Sequence, residues 1–166
     1  NAVVTGLEAR WQRSWQRMFA RQEQAALDRL TGKRGRQALG YGTDGLPLEQ
    51  RADPAPQIDA ESIWTRTHWL EEQQTLAADL FEETTAAGLA RLSMSFGVGF
   101  DIASPWAQEF IASRANQLAG QVADTTYEQI QTALNEGVRL GESIDDIAAR
   151  VRGVFAEAST NRATVI

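Results

Sequence analysis

Apolar residues recur at helical spacing throughout the last third of the chain. Steps of about 100° per residue place small and aliphatic side chains on one side of a helix and charged ones on the other. The apolar side consists of Ile111, Ala115, Leu118, Val122, Thr126, Ile130, Ala133 and Gly137. Ser104 can cap the first turn with its side-chain oxygen, and Pro105 has the fixed φ that suits the first helical position. The pattern predicts a long helix that begins at Ser104-Pro105 and ends at Gly141.

A shorter helix is predicted after Gly141. Ser143 is a favourable N-cap residue, and Asp145 and Asp146 fall in the first turn, beside the positive end of the helix dipole. The apolar stripe of this helix is formed by Ile147, Val151 and Val154. The end of the chain therefore predicts a helix, a glycine break and a second helix.

The first thirty residues also have an amphipathic pattern. Between Val3 and Leu30 the apolar residues fall within one sector of a helical wheel. They are Val4, Leu7, Trp11, Trp15, Met18, Ala25 and Ala26. The pattern predicts a helix in which Trp11 and Trp15 anchor a core or an interface, because large aromatic side chains dominate both. The interface alternative makes these two tryptophans candidate partner-binding residues.

A third long helix is predicted in the middle of the chain. Asp59 is a suitable N-cap for a helix through Trp64 to about Met94. Its apolar face holds Trp69, Leu70, Leu76, Ala77, Leu80, Phe81, Ala87 and Gly88, and its acidic face holds Glu71, Glu72, Asp79, Glu82 and Glu83. Gln73 and Arg91 fall in the apolar sector, which suggests that part of this face meets a partner or a buried acid.

The segment from residue 96 to residue 100 alternates aromatic residues with glycine, which favours a tight reversal between two long helices. We expect an antiparallel pair whose seam contains Trp69, Leu80, Phe81, Leu118, Val122 and Ile130. Residues 32–57 are rich in glycine and proline and predict a loop or linker. The sequence thus predicts an all-α protein, an extended antiparallel bundle of long amphipathic helices. It comprises a basic N-terminal helix (1–31), the Gly/Pro-rich loop (32–57) and a helical domain (58–166).

Charge is distributed unevenly along the chain. The net charge is −6. Residues 1–36 carry eight basic and three acidic groups, or +5, so the remainder carries −11. Arg10, Arg13, Arg17 and Arg21 lie within about 80° of one another on the wheel, away from the apolar sector, and we call them the arginine ridge. The ridge is interpreted as a solvated flank that pairs with acidic residues elsewhere, or as a contact for DNA or another acidic partner.

The sequence offers little for catalysis. There are no cysteines, and the single histidine, His68, has Glu71 and Glu72 three and four positions later. That spacing can hold a metal, but without a second histidine a solvated surface is the favoured interpretation. The acidic pairs lie on polar faces or in a first helical turn, where solubility and the helix dipole explain them. We therefore expect no enzyme activity, no catalytic, cofactor-binding or metal-binding residues, no cofactor, and no membrane span, since no apolar run reaches 18 residues.

A family resemblance is carried by the runs FDIASPWAQEFI, RANQLA and GVRLGESIDDIAARVRGVFAEASTNRA. They resemble the phage head-morphogenesis module of the Mu F-like and SPP1-type minor head proteins, which also occurs on the C-terminal side of some portal proteins. The resemblance covers roughly residues 58–166. The module's closing motif is a Ser…Arg-Ala-x-x-Ile-Ala-Arg-Thr-Glu run. Ser159, Arg162, Ala163 and Ile166 match its first part, and the sequence ends before the rest, as expected of a piece of a longer chain.

The resemblance implies a structural role in the head of a tailed bacteriophage, at the portal vertex of the virion and in the host cytoplasm during assembly. The implied function is procapsid assembly, DNA packaging or ejection, and the implied partners are portal, capsid or scaffolding proteins. The run FARQEQAALDRL resembles the helix that follows the portal core, which favours the C-terminal part of a portal protein, and hence a homo-oligomer, over a separate minor head protein.

On this interpretation Trp11, Trp15, Ser159 and Arg162 contact partners, and the arginine ridge contacts DNA or an acidic partner. Two alternatives remain: a bacterial helical-bundle adaptor without a phage role, and a delivery module fused to a C-terminal enzyme or toxin domain.

Overall fold

The computed structural model describes residues 2–32, 35–36, 59–97, 99 and 101–162, and for residues 2–4 and 161–162 it describes the backbone alone. This part of the chain contains four α-helices and no strands, which confirms the all-α class. The helices are α1 (Ala2–Thr31), α2 (Arg66–Phe96), α3 (Pro105–Arg139) and α4 (Ile144–Glu157). A 3₁₀ turn (Ala60–Ser62) precedes α2, and a π-helical turn (Ala158–Arg162) follows α4. Most of the Gly/Pro-rich segment, residues 37–57, lies outside the described residues.

The boundaries of α3 and α4 follow the capping residues of the sequence. Ser104 Oγ accepts a hydrogen bond from the Ala107 N–H at 3.4 Å, and Pro105 is the first residue of α3. Gly141, with φ of 65°, lies just beyond the end of α3. Ser143 and Asp146 form a reciprocal capping box at the start of α4, with the Asp146 N–H donating to Ser143 Oγ at 3.2 Å. The predicted helix, glycine break and helix are confirmed.

The predicted start of the middle helix is wrong. Asp59 Oδ1 accepts from the Glu61 N–H at 3.0 Å and so caps only the 3₁₀ turn, while α2 begins seven residues later, at Arg66. The reason lies in the intervening residues, because Ile63 and Trp64 are only 2% and 0% exposed. Burial of these two large side chains stabilises the broken backbone by more than one additional helical turn would contribute.

Each helix packs against two others: α1 against α2 and α4, and α3 against α2 and α4. Arg10, Arg21 and Arg29 of α1 contact Glu83, Glu72 and Thr65, in that order. Since the partners' numbers fall as those of the arginines rise, α1 and the α2 region run in opposite directions. The Ala60 N–H donates to Gln131 of α3, and Arg66 forms an ion pair with Asp124 of α3. The partner's number again falls as the residue number rises, so α2 and α3 are also antiparallel.

One hydrophobic core joins all four helices. Its largest fully buried α1 residues are Trp15, Phe19 and Leu30, and α4 adds Ile147, Val151 and Phe155. Of the residues expected between α2 and α3, Trp69, Leu80, Val122 and Ile130 are buried, whereas Phe81 and Leu118 are half-buried. The N-terminal helix therefore shares its core with the later helices.

Two glutamines are buried with this core. Gln22 of α1 and Gln73 of α2 are both 0% exposed, and neither side-chain amide has a hydrogen-bond partner among the described residues. The burial of Gln73 agrees with its position in the apolar sector of the helical wheel. A buried amide without a partner destabilises the folded state, typically by about 1–3 kcal/mol.

Candidate interaction surfaces

The arginine ridge of α1 lies beside the acidic face of α2. Arg10 forms an ion pair with Glu83, and Arg21 Nη2 lies 2.9 Å from Glu72 Oε2. Arg13 and Arg17 form no ion pair within the described residues, and Arg17 Nε donates to the Arg13 carbonyl oxygen at 3.3 Å. Two of the four arginines are thus paired internally.

A groove of about 960 Å³, open to solvent, separates the same two helices. Arg17 and Arg21 line one side, and Glu71, Glu72 and Asp79 line the other. A DNA phosphate that approached the ridge would meet these carboxylates at once, so the arrangement favours pairing within the chain over DNA contact.

His68 also lines this groove. Its Nε2 lies 3.4 Å from Glu72 Oε1, and its ring centroid is 4.7 Å from that of Trp69. Glu72 is therefore shared between His68 and Arg21. Within the described residues no three His, Asp, Glu or Cys side chains converge closely enough to hold a metal ion.

The two tryptophans of α1 are core residues. Trp15 is 0% exposed and Trp11 7%. Trp11 Nε1 donates to Thr84 Oγ1 at 3.0 Å, and its ring meets Phe81 edge-on at 5.2 Å between centroids. Their apolar surface is used inside the chain, so a docking role for Trp11 and Trp15 does not fit this structure; the core alternative does.

Ser159 and Arg162 lie in the π-helical turn that follows α4. Ser159 is half-buried, and the side chain of Arg162 is outside the described residues. Ala163 and Ile166, the other matches to the closing motif, are also outside them. Their role in partner binding stays a prediction.

An ion-pair network fixes the joint between α3 and α4. Arg150 donates to Glu142 through Nε and Nη2, both at 2.6 Å, and its Nη1 lies 3.0 Å from Glu136 Oε2. These hydrogen bonds favour the ionised carboxylate and lower the pKa of Glu142. The network holds α4 in position beside the end of α3.

A second polar contact joins the 3₁₀ turn to α3. Tyr127 Oη donates to Asp59 Oδ1 at 2.6 Å. This hydrogen bond lowers the pKa of Asp59 and raises the pKa of Tyr127, because it requires an ionised acid and a protonated phenol. No local sequence signal indicates this pair, because its members are 68 positions apart.

The end of the molecule where α2 stops and α3 starts is apolar and exposed. We define the apolar end as five exposed residues, which are Leu92, Met94, Phe96, Trp106 and Phe110. Trp106 and Phe110 stack with ring centroids 6.0 Å apart, and the Arg114 guanidinium carbon lies 5.4 Å from the Phe110 centroid. This surface has the composition of a protein contact.

No protein family, curated protein or solved structure matches the chain. In the described part, no helix combines the length and apolar character needed to cross a bilayer.

Proposed function

We propose that this chain is a structural and assembly protein of a tailed-bacteriophage head. On this proposal it docks at the portal vertex and aids procapsid assembly, DNA packaging or ejection. It acts as a minor head protein or as the C-terminal part of a portal protein, and its partners are portal, capsid or scaffolding proteins. The phage context comes from the sequence resemblance.

The structural observation that supports this proposal is the continuity of the run that carries the resemblance. Residues 101–162, which span the described part of the quoted runs, form a continuous helical unit in which Ser104-Pro105 starts α3, Gly141 breaks the chain and Ser143 caps α4. A helix–break–helix unit of this kind presents long surfaces to other chains. Its start residues act as helix caps, and Arg150 pairs with Glu136 and Glu142, which suits a structural role.

The test begins with the parent gene and its neighbours. We expect terminase, capsid and protease genes beside it. The full reading frame is then expressed together with the adjacent capsid and portal genes, and assembled particles are separated on a density gradient. The chain should migrate with the heads or with the portal ring, in a fixed ratio to the portal protein. A gene without head-gene neighbours, or a chain that stays at the top of the gradient while heads assemble normally, refutes the proposal.

A matched variant tests the helix–break–helix unit itself. Ser143→Pro should disrupt the start of α4, because proline has no N–H and no hydroxyl and so removes both hydrogen bonds of the capping box with Asp146. The rest of the sequence, including Ser159, stays unchanged. We expect the variant to be lost from the heads. Ala149→Ser, on the exposed side of α4, is the control that should be retained.

A further inference from the structure

The apolar end concentrates nearly all the large apolar residues that the described part of the chain exposes. Six such residues are exposed, and five of them belong to the apolar end. Met94, Phe96 and Trp106 are 81%, 74% and 75% exposed. The sixth, Leu140, lies just beyond the other end of α3. Because α2 and α3 are antiparallel, the last turns of α2 and the first turns of α3 lie at the same end of the molecule.

The last turns of α2 are apolar on both sides. Leu92 and Phe96 are four positions apart and share one side of the helix, whereas Met94 points about 200° away from Leu92. On α3, Trp106 and Phe110 are already stacked and held by Arg114, so little side-chain freedom would be lost on contact.

The area of the apolar end matches what a specific contact needs. Each aromatic side chain can bury about 150–250 Å². Met94 points away from Leu92 and Phe96, so only the other four residues count toward one contact. Their exposed fractions give roughly 500 Å² of apolar area, comparable to the apolar share of the ~800 Å² that each partner contributes to a standard interface. This area lies in the upper half of the range for the largest patch on a typical monomer, about 300–600 Å².

The charges around the apolar end indicate what covers it. Arg114 is basic, Asp101 and Glu109 are acidic, and all three are exposed. Charges of both signs make the rim self-complementary, since a two-fold contact lets the basic group of one copy meet an acidic group of the other. A strongly anionic partner, such as an acidic lipid surface, would instead meet these two acidic groups on a chain of net charge −6.

We propose that the apolar end is a self-association surface on which a second copy of this chain packs in a two-fold contact. The ends of two α2–α3 pairs lie side by side and complete a local four-helix packing around Phe96 and Trp106. The proposal concerns the purified chain alone, so it stands or falls separately from a role in the phage head.

Sedimentation equilibrium of the purified chain over a range of concentrations tests the proposal. We expect a monomer–dimer equilibrium that the double variant Phe96→Ser, Trp106→Ser weakens by on the order of 100-fold or more in Kd, because both residues are central aromatic anchors. Leu140→Ser is the matched control, an exposed apolar residue outside the surface, and should associate like the wild type. Circular dichroism and thermal unfolding, measured at concentrations low enough that all three chains are monomeric, should be alike, since the replaced side chains are exposed and association itself raises the Tm.

Trp106 also supplies a direct readout of the contact. The other four tryptophans are at most 7% exposed, so acrylamide quenching reports mainly on Trp106. Quenching should fall as the wild-type chain associates. A wild-type chain that stays monomeric up to about 1 mM, the weak end of specific association, overturns the proposal. So does dimerisation that the double variant leaves intact, or quenching that does not change while the mass doubles. Binding of the monomer to neutral phosphatidylcholine vesicles through the same residues would assign the surface to lipid and also overturn it.

Discussion

Gly137→Ala tests how closely α3 and α4 approach each other. Gly137 is buried in α3, and a Cβ at this position would lie 2.5 Å from Ile147 Cγ1, 3.0 Å from Ile147 Cδ1 and 3.2 Å from Glu142 Oε2. Ile147 is 0% exposed, so it cannot move aside without displacing the core. The absence of a side chain at Gly137 is what allows α4 to pack against this turn of α3.

The expected magnitude is the difference between two opposing effects. Overpacking a filled core destabilises by about 1–3 kcal/mol. Replacing a helical glycine with alanine stabilises by about 0.5–1 kcal/mol, because alanine restricts the unfolded chain. We therefore expect Gly137→Ala to lower the free energy of unfolding by roughly 1 kcal/mol, the middle of a range of about 0–2.5 kcal/mol.

Gly120→Ala is the matched control in the same helix. A Cβ at Gly120 would have nothing within 4 Å, so only the helix-propensity gain remains, and we expect stabilisation by about 0.5–1 kcal/mol. Urea unfolding measures both values, and thermal unfolding should shift by about 2–4 °C per kcal/mol for a chain of this size. If the two substitutions change stability equally, the close approach at Gly137 is refuted.

Three further perturbations test the caps, the pH-sensitive contact and the core. Ser143→Ala removes the capping box of α4 and should destabilise by about 1 kcal/mol in urea unfolding, whereas an unchanged midpoint would show that the cap contributes nothing. Tyr127→Phe removes the hydrogen bond to Asp59. The stability difference from the wild type should be greatest between the ordinary pKa values of aspartate and tyrosine. It should shrink as the pH falls through the lowered pKa of Asp59 or rises through the raised pKa of Tyr127, and a difference independent of pH contradicts the assignment. Gln73→Met replaces a buried amide without a partner by an apolar side chain of similar size, and should raise the free energy of unfolding by about 1 kcal/mol in urea unfolding. A lower free energy of unfolding would show that the amide is hydrogen-bonded.

The sequence predicted most where the signal was local. Ser104-Pro105 and Ser143 satisfy free N–H groups within their own first turns, so the starts of α3 and α4 can be read without knowledge of the rest of the fold. Asp59 has the same chemistry, but the chain after it is turned by the burial of Ile63 and Trp64, which depends on distant residues. A capping signal alone does not fix how long the helix after it continues.

The interaction surfaces could be predicted less well, because they depend on the register between helices. The wheel separates the arginine ridge from the apolar sector, but only the pairing of α1 with α2 places Arg10 beside Glu83 and Arg21 beside Glu72. The wheel also cannot distinguish a core tryptophan from a docking tryptophan. The apolar end was missed for a related reason. The glycines near Phe96 predicted a reversal, but not that the side chains around it would be left uncovered.

The packing of α1 against α4 also constrains the order of events during synthesis. Residue 144, where α4 begins, is made 113 positions after α1 ends at residue 31. At about 5–20 residues per second, a ribosome needs roughly 5–20 s to cover that distance. Throughout this interval the nascent first helix lacks α4, and of the two helices against which it packs only α2 is made early enough to cover part of its apolar side.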